Sequence, residues 1–206
     1  MSIEKIIITD DLYLGTGNHK TVYAHPTDPH LCIKILHTTP DPDFDKEFRY
    51  RKALGKRADD MTLLTGYFGE VDTSKGKGYL FERVIDFDGK PSKTLLNLFD
   101  EALVDRTKLP AVEKILTDFK RAYFAEKILL AGIDADNYLV QRISPTDCRV
   151  RIIDNIGTSA LIPLAYHFDM FTKKRVVKYW RQFVAELSSR YRLLFTEDFL
   201  RRLGEV

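Results

Sequence analysis

The stretch "LYLGTGNHKTVYAHPTDPHLCIKIL", from Leu12 to Leu36, decides the fold class of this chain. It contains two strand-like runs around a turn with Gly15 and Gly17, then the turn "HPTDPH" and a third run, "LCIKIL". Apolar and β-branched residues bounded by such turns are typical of antiparallel strands. The stretch therefore predicts a hairpin between residues 21–24 and 31–36, within a small antiparallel sheet.

The chain changes from strand-like to helical patterns before its midpoint. The first part continues with a helical segment, "DFDKEFRYRKAL", that Gly55 ends, and with two strand candidates, "LLTGYFGEVD" and "GYLFERVI". The second part predicts helices over 92–103 and about 111–130, a hairpin of "YLVQRI" and "CRVRII", and a final amphipathic helix in "KKRVVKYWRQFVAELSSRYRLL". We therefore expect an α+β domain of two lobes, with a small antiparallel sheet and one helix in 1–88 and a helical lobe in 89–206.

Composition and charge narrow the functional classes. The 206 residues are 44% hydrophobic and 30% charged, and the formal net charge is +2. Nucleic-acid-binding domains are usually clearly basic, so this balance predicts no nucleic-acid partner. The two cysteines lie far apart in apolar runs, which is typical of a reducing compartment. No apolar run is long enough for a membrane span, and the N-terminal run is too short for a signal peptide, so we expect a cytoplasmic protein.

Two glycines and one lysine in the first part are candidates for binding phosphate. Gly15 and Gly17 lie between two strands, where a backbone without side chains can approach phosphate oxygens; a plain hairpin turn is the alternative. Lys34 lies in the middle of a strand and either faces solvent or turns inward. An inward ammonium needs a partner charge, and Glu47 on the following helix is the natural candidate.

A second polar group lies in "AGIDADNYLV", where Asp134, Asp136 and Asn137 separate a helical stretch from a strand. Antiparallel pairing about the turn "SPTD" returns Asp154, at the end of "CRVRIID", toward Asn137. Carboxylate and amide oxygens are ligands that Mg²⁺ accepts in proteins. The alternative is that Asp154 only belongs to a polar turn that ends a strand.

The order of these pieces along the chain resembles the protein-kinase-like fold. "LGTGNHKTVY" is similar to a glycine-rich loop, "CIKI" to the strand with the nucleotide lysine, "YLFERV" to the strand that enters the hinge, and "DNYLV" and "DNIG" to the metal-binding segments. The resemblance implies an ATP site formed by Gly15, Gly17, Val22, Lys34, Glu47, Glu82 and Val84. It implies Asn137 and Asp154 as ligands of Mg²⁺ or Mn²⁺.

A closer resemblance is to the bacterial YrbL-like family, called PhoP regulatory network proteins. It is carried by "LGTGNHKTVYAHPTDPHLCIKIL", "DFDGKPSKTL" and "DNIGTSALIPLA", and covers the chain from about residue 10 to about residue 195. The family name implies a link to a regulon that responds to low Mg²⁺. It implies no particular reaction, so the mechanism depends on the residues.

Three positions depart from the kinase pattern. Lys20 stands at the third glycine of the loop, Asn155 follows the metal aspartate in place of phenylalanine, and Gly132 stands where the catalytic aspartate is expected. The usual base is therefore missing. Asp134 is the candidate replacement, and Asp136 is a second one.

Two hypotheses from different classes follow. In the first, the protein is an atypical or weak phosphotransferase in which Lys34, oriented by Glu47, holds the phosphates and Asp134 contacts the acceptor, a protein or small molecule. In the second, it is a pseudokinase, a nucleotide-binding switch or partner-binding module that does little chemistry. Retention of both metal-ligand positions, Asn137 and Asp154, is compatible with either.

Overall fold

The computed structural model describes residues 5–132, 134–158, 164–166 and 168–206, with the side chain of Leu164 excepted. Within them the chain is mixed α+β, with two antiparallel sheets and five α-helices. Part of the motif "DNIGTSALIPLA", at 159–163, and position 133 of "AGIDADNYLV" lie outside the described residues. The elements are β1 Tyr13–Thr16, β2 Lys20–Ala24, β3 Leu31–Leu36, α1 Pro42–Leu54, β4 Tyr67–Thr73, β5 Gly76–Glu82, β6 Lys93–Thr94, α2 Leu95–Val104, α3 Leu109–Glu126, β7 Tyr138–Arg142, β8 Cys148–Ile152, α4 Asp169–Arg190 and α5 Glu197–Gly204.

The first sheet has five antiparallel strands in the order β1-β2-β3-β5-β4, and it confirms the hairpin predicted from the opening stretch. Its register places Gly15 opposite Val22, Val22 opposite Lys34, and Lys34 opposite Tyr79. Directly opposed residues of antiparallel strands point to the same face. The candidate residues of three strands therefore share one face of this sheet.

Helix α1 covers that face and has clear start and stop signals. The Asp41 carboxylate accepts hydrogen bonds from the backbone N–H groups of Asp43 and Phe44, at 2.9 and 3.0 Å, and so caps the first turn. The helix ends where Gly55 adopts a φ of +56°, as the sequence predicted. The Phe44 ring packs against Tyr79 with the ring centres 4.4 Å apart, which fixes the helix on the sheet.

The second sheet has the order β6-β7-β8 and confirms the hairpin predicted in the second half. Strand β6 was not predicted, and helix α2 begins at Leu95, later than the expected position 92. The reason is a capping box. The Thr94 hydroxyl accepts a hydrogen bond from the Asn97 N–H, and the Asn97 amide oxygen accepts one from the Thr94 N–H, both at 3.1 Å.

Helix α3 ends at Glu126, four residues before the predicted end at Leu130. Lys127 has a left-handed backbone with φ of 53°, and its N–H donates to the Tyr123 carbonyl at 2.9 Å, which terminates the helix. Residues 128–130 are buried after this turn. They are apolar because they enter the core, and that same apolar character makes the helix look longer in the sequence.

The last two helices pack together and contribute side chains to the larger core. The predicted final helix is α4, and the sequence analysis missed α5. The indole N–H of Trp180 on α4 donates to the Leu203 carbonyl on α5 at 2.8 Å. None of the helices in the described part of the chain combines the length and the apolar character that crossing a bilayer requires.

The end of β8 and the residues that follow it are fixed by backbone hydrogen bonds to two other parts of the chain. The Ile152 N–H donates to the Leu63 carbonyl, and the Ala131 N–H donates to the Asn155 carbonyl, both at 2.7 Å. The chain from 152 to 155 is therefore held on one side by the connector before β4 and on the other by the loop before β7. This arrangement positions Asp154.

Candidate functional site

Lys34 points inward, which resolves the alternative that the sequence left open. Its side chain is buried, its ammonium donates to the Ile153 carbonyl at 2.8 Å, and Nζ lies 3.9 Å from the centre of the Phe81 ring. Burial lowers the pKa of Lys34 below its ordinary value, while the carboxylates of Glu47 and Asp154 oppose that shift. The ammonium is thus satisfied by a carbonyl and an aromatic face and has negative charges nearby.

Glu47 does not make the direct ion pair with Lys34 that the sequence predicted. Its buried carboxylate accepts a 2.7 Å hydrogen bond from Arg51 Nε, and another guanidinium nitrogen donates to the Thr65 carbonyl at 2.9 Å. Among the ion pairs of the described residues, Glu47 pairs with Arg51. Since Arg51 lies one turn further along α1, this pair forms within the helix, whereas Lys34 is reached only by packing.

Lys20 forms the contact that the sequence analysis missed. Its Nζ lies 2.6 Å from Oδ1 of Asp154, and the side chains are 15% and 32% exposed. Burial acts to raise the pKa of Asp154, but the ammonium groups of Lys20 and Lys34 outweigh it and hold this pKa below its ordinary value. The signal was present, because Lys20 lies two residues before Val22 and so shares the face of Lys34. The sequence analysis interpreted Lys20 only as a departure from the glycine pattern.

The hairpin brings Asn137 and Asp154 to the same end of the second sheet, as its pairing predicted. Tyr138 is opposite Ile152, and the Ile153 N–H donates to the Asn137 carbonyl at 3.1 Å. Both residues thus leave the paired strands at the same point. A carboxylate and an amide at such a position form a donor set that suits a hard cation.

Asp134 borders the same site and contacts Asn155. Its Oδ2 accepts a 3.2 Å hydrogen bond from the Asn155 side-chain amide. Partial desolvation raises the pKa of Asp134, and the negative charges of Asp136, Glu186 and Asp154 raise it further. A carboxyl whose pKa is raised in this way binds a proton more readily than an ordinary aspartate does.

Gly132 and Asn155 are two departures from the kinase pattern that depend on each other. A Cβ added at Gly132 would lie 3.1 Å from the amide nitrogen of Asn155. Asn155 itself has a φ of 57°, a left-handed conformation that asparagine tolerates better than most residues. The Asn155 side chain therefore occupies the space beside Gly132, and an aspartate there would have to displace it.

Gly15 and Gly17 border open space. A Cβ added at either position would meet no atom within 4 Å, and neither residue is among the described residues with positive φ. The Gly17 N–H donates to the Lys20 carbonyl at 2.9 Å, so the turn is a closed hairpin. Packing within the described part of the chain therefore does not require glycine at either position.

Glu82 and Val84 take part in structural contacts. The Glu82 carboxylate accepts a 2.9 Å hydrogen bond from the Gly66 N–H and pairs with the buried Arg151. Val84 is buried, and its carbonyl accepts a 3.4 Å hydrogen bond from the Ser92 N–H. The Glu82 carboxylate thus joins β5 to β8, and the role of these two residues toward a nucleotide stays a prediction.

The fold and the site define a mixed α+β protein in which two lysines from adjacent strands of one sheet reach the segment that follows a second sheet. Lys20 contacts the Asp154 carboxylate, and Lys34 contacts the Ile153 carbonyl. The sequence profile of the family described as "PhoP regulatory network protein YrbL" matches residues 6–188, and the chain belongs to this family. It is 33% identical over 184 residues to "Uncharacterized protein YrbL" of Escherichia coli (strain K12), covering 88% of this chain and 87% of that protein. The protein of the same description from Shigella flexneri has the same identity and coverage.

Proposed function

We propose that this protein binds ATP together with Mg²⁺ or Mn²⁺ and has an atypical or weak phosphotransferase activity. In this proposal, residues 1–88 and 89–206 are the two lobes of one protein-kinase-like domain. The observation that carries it is Lys34, a buried ammonium that contacts a backbone carbonyl and lies near Asp154. Burying a lysine is costly unless its charge is used, and phosphate oxygens are a suitable partner.

The donor set supports the metal part of the proposal. Asn137 and Asp154 leave the β7–β8 hairpin together, and their side chains offer the amide and carboxylate oxygens that Mg²⁺ takes alongside phosphate and water. A bound Mg²⁺ would neutralise charge on the phosphates.

The other residues have roles that follow from their positions. Lys34 would bind phosphate oxygens, and the open turn of Gly15 and Gly17 would let the backbone approach them. Val22, on the face of Lys34, would contact the base of the nucleotide. Asp134 would accept a hydrogen bond, and then a proton, from the hydroxyl of an acceptor that is a protein or a small molecule.

The second candidate function is a pseudokinase that binds the same nucleotide and acts as a switch. Gly132 favours it, because the usual base is missing and Asn155 occupies the adjacent space. The description of the family supports a regulatory role in the PhoP network for either candidate.

Two measurements test and separate these functions. A ligand that binds only the folded state raises the melting temperature, so ATP with Mg²⁺ should stabilise the protein and Asp154→Ala should remove the metal-dependent part. No shift with any purine nucleotide, with Mg²⁺ or Mn²⁺, contradicts the nucleotide site. Incubation with γ-labelled ATP then distinguishes the two: label transfer that Asp154→Ala abolishes identifies a phosphotransferase, and binding without turnover identifies the switch.

A further inference from the structure

We propose that Lys20 is a built-in counter-cation of this site, which holds Asp154 before ligands bind and competes with the divalent metal for the same carboxylate oxygen. The inference rests on the proposed function in one respect: it takes Asp154 as the metal-binding carboxylate. It adds a regulatory consequence, namely that metal enters the site with the nucleotide and not before it.

The geometry of the pair carries the inference. Lys20 Nζ lies 2.6 Å from Asp154 Oδ1, and both side chains are less than one third exposed. An ion pair shielded in this way is stronger than the same pair on an open surface, where water and salt screen it. Mg²⁺ binds a carboxylate oxygen at about 2.1 Å, so a cation that approaches Oδ1 meets the ammonium already there and binds more tightly once that ammonium has moved away.

The charges around Asp154 make the competition stronger. Lys34 donates to the carbonyl of the neighbouring Ile153, so a second ammonium lies close to this carboxylate. Two ammonium groups therefore lie near the Asp154 carboxylate before any ligand is present. They weaken the binding of a divalent ion alone, whereas the negative charge of a triphosphate would attract them away from Asp154.

Lys20 differs from Lys34 in how firmly it is held. Lys34 is buried against the Phe81 ring and anchored to a backbone carbonyl. Lys20 lies at the start of β2, beside the turn whose glycines border open space. Its four-carbon stem is flexible, so its ammonium can leave Asp154 and move to the phosphates of a nucleotide in that space. The exchange would free Asp154 for the metal that the nucleotide brings.

Binding of Mn²⁺ in the absence of nucleotide tests the competition directly, read from the electron paramagnetic resonance signal of free Mn²⁺. Lys20→Gln removes the competing charge, so we expect its affinity for Mn²⁺ to exceed that of the wild-type protein by about tenfold or more. The double variant Lys20→Gln/Asp154→Asn should lose the gain. Lys77→Gln is the matched control, since the exposed Lys77 pairs with Glu70 on β4, an edge strand of the same sheet, and the change should leave Mn²⁺ binding unchanged.

The outcomes separate the inference from the proposed function. An Mn²⁺ affinity of Lys20→Gln equal to that of the wild-type protein, or a gain that survives Asp154→Asn, overturns the competition even if ATP binds. A gain in Mn²⁺ affinity that depends on Asp154 supports the competition, even if no variant responds to ATP. Circular dichroism checks folding first. Should Lys20→Gln not fold, Lys20→Met keeps the alkyl stem and carries the same expectation.

Discussion

Lys34 on β3 and Ile153 after β8 are 119 positions apart in the chain, yet the Lys34 ammonium donates a 2.8 Å hydrogen bond to the Ile153 carbonyl. This bond joins the first sheet to the segment that carries Asp154. The position of the ammonium is therefore set by the packing of the two halves of the chain against each other.

The first prediction concerns the cost of burying this ammonium. Lys34→Met keeps most of the volume and removes the charge, so we expect the free energy of unfolding to be unchanged or higher, because a buried charge is expensive. The melting-temperature shift with ATP and Mg²⁺ should be lost. Urea unfolding and the thermal shift measure the two effects, with the exposed Lys77→Met as control. A strongly destabilised variant would show that Lys34 is primarily structural.

The second prediction uses the lowered pKa of Asp154. Since its folded-state pKa lies below the ordinary value of 3.8, its ionised form stabilises the fold above about pH 4. That contribution is lost as the pH falls through the folded-state pKa. The stability difference between the wild-type protein and Asp154→Asn should therefore be constant near neutral pH and shrink in acid. Chemical unfolding from pH 7 to pH 3 measures it, with the exposed Asp10→Asn as control. If the stability difference grows in acid instead, the pKa of Asp154 is not lowered in the fold.

The third prediction gives opposite effects on stability and activity. The pKa of Asp134 is raised in the fold, so folding destabilises its ionised form relative to the unfolded chain. Asp134→Asn should therefore leave stability equal or slightly higher while it lowers label transfer from γ-labelled ATP by about 10²-fold or more, as loss of a general base does. Asp136→Asn is the matched variant two residues away. If Asp136→Asn alone abolishes transfer, the base is Asp136.

The fourth prediction concerns Glu47 and its two cationic neighbours. Breaking a buried ion pair costs about 3–5 kcal/mol because one charge is left without its partner. Arg51→Met should cost less than this, because Lys34 lies close enough to Glu47 to take over part of the role of Arg51. Combining Arg51→Met with Lys34→Met should then destabilise by more than the sum of the single changes. Additive unfolding free energies would show that Lys34 does not compensate.

The fifth prediction concerns the missing base. Gly132→Asp alone should not increase label transfer, because the Asn155 side chain occupies the adjacent space. Asn155→Gly removes that side chain and tolerates the left-handed backbone. We therefore expect a gain in transfer only in the double variant Gly132→Asp/Asn155→Gly, measured with γ-labelled ATP. A gain in Gly132→Asp alone would show that Asn155 does not block the position.

Much of the candidate site followed from local patterns, and the errors have physical causes. The pairing of β7 with β8 placed Asn137 beside the segment of Asp154, because hairpin register depends on residues close in sequence. Glu47 was assigned to Lys34 because a buried ammonium needs a negative partner. The structure has a nearer partner for Glu47 in Arg51, one turn away on the same helix. Lys20 was missed because the glycine pattern, and not the strand alternation, was used to interpret it.

By itself, the sequence determined the strands of both sheets except β6, the end of α1 at Gly55 and the return of Asp154 toward Asn137, since turns, caps and alternation act over a few residues. Only the tertiary structure decided that Lys34 points inward and that Lys20 is the cation at Asp154. Those contacts join residues more than one hundred positions apart, and they form only when the first sheet packs against the segment after β8. The alternation of residues along a strand cannot specify these contacts, because it is equally compatible with both lysines facing water.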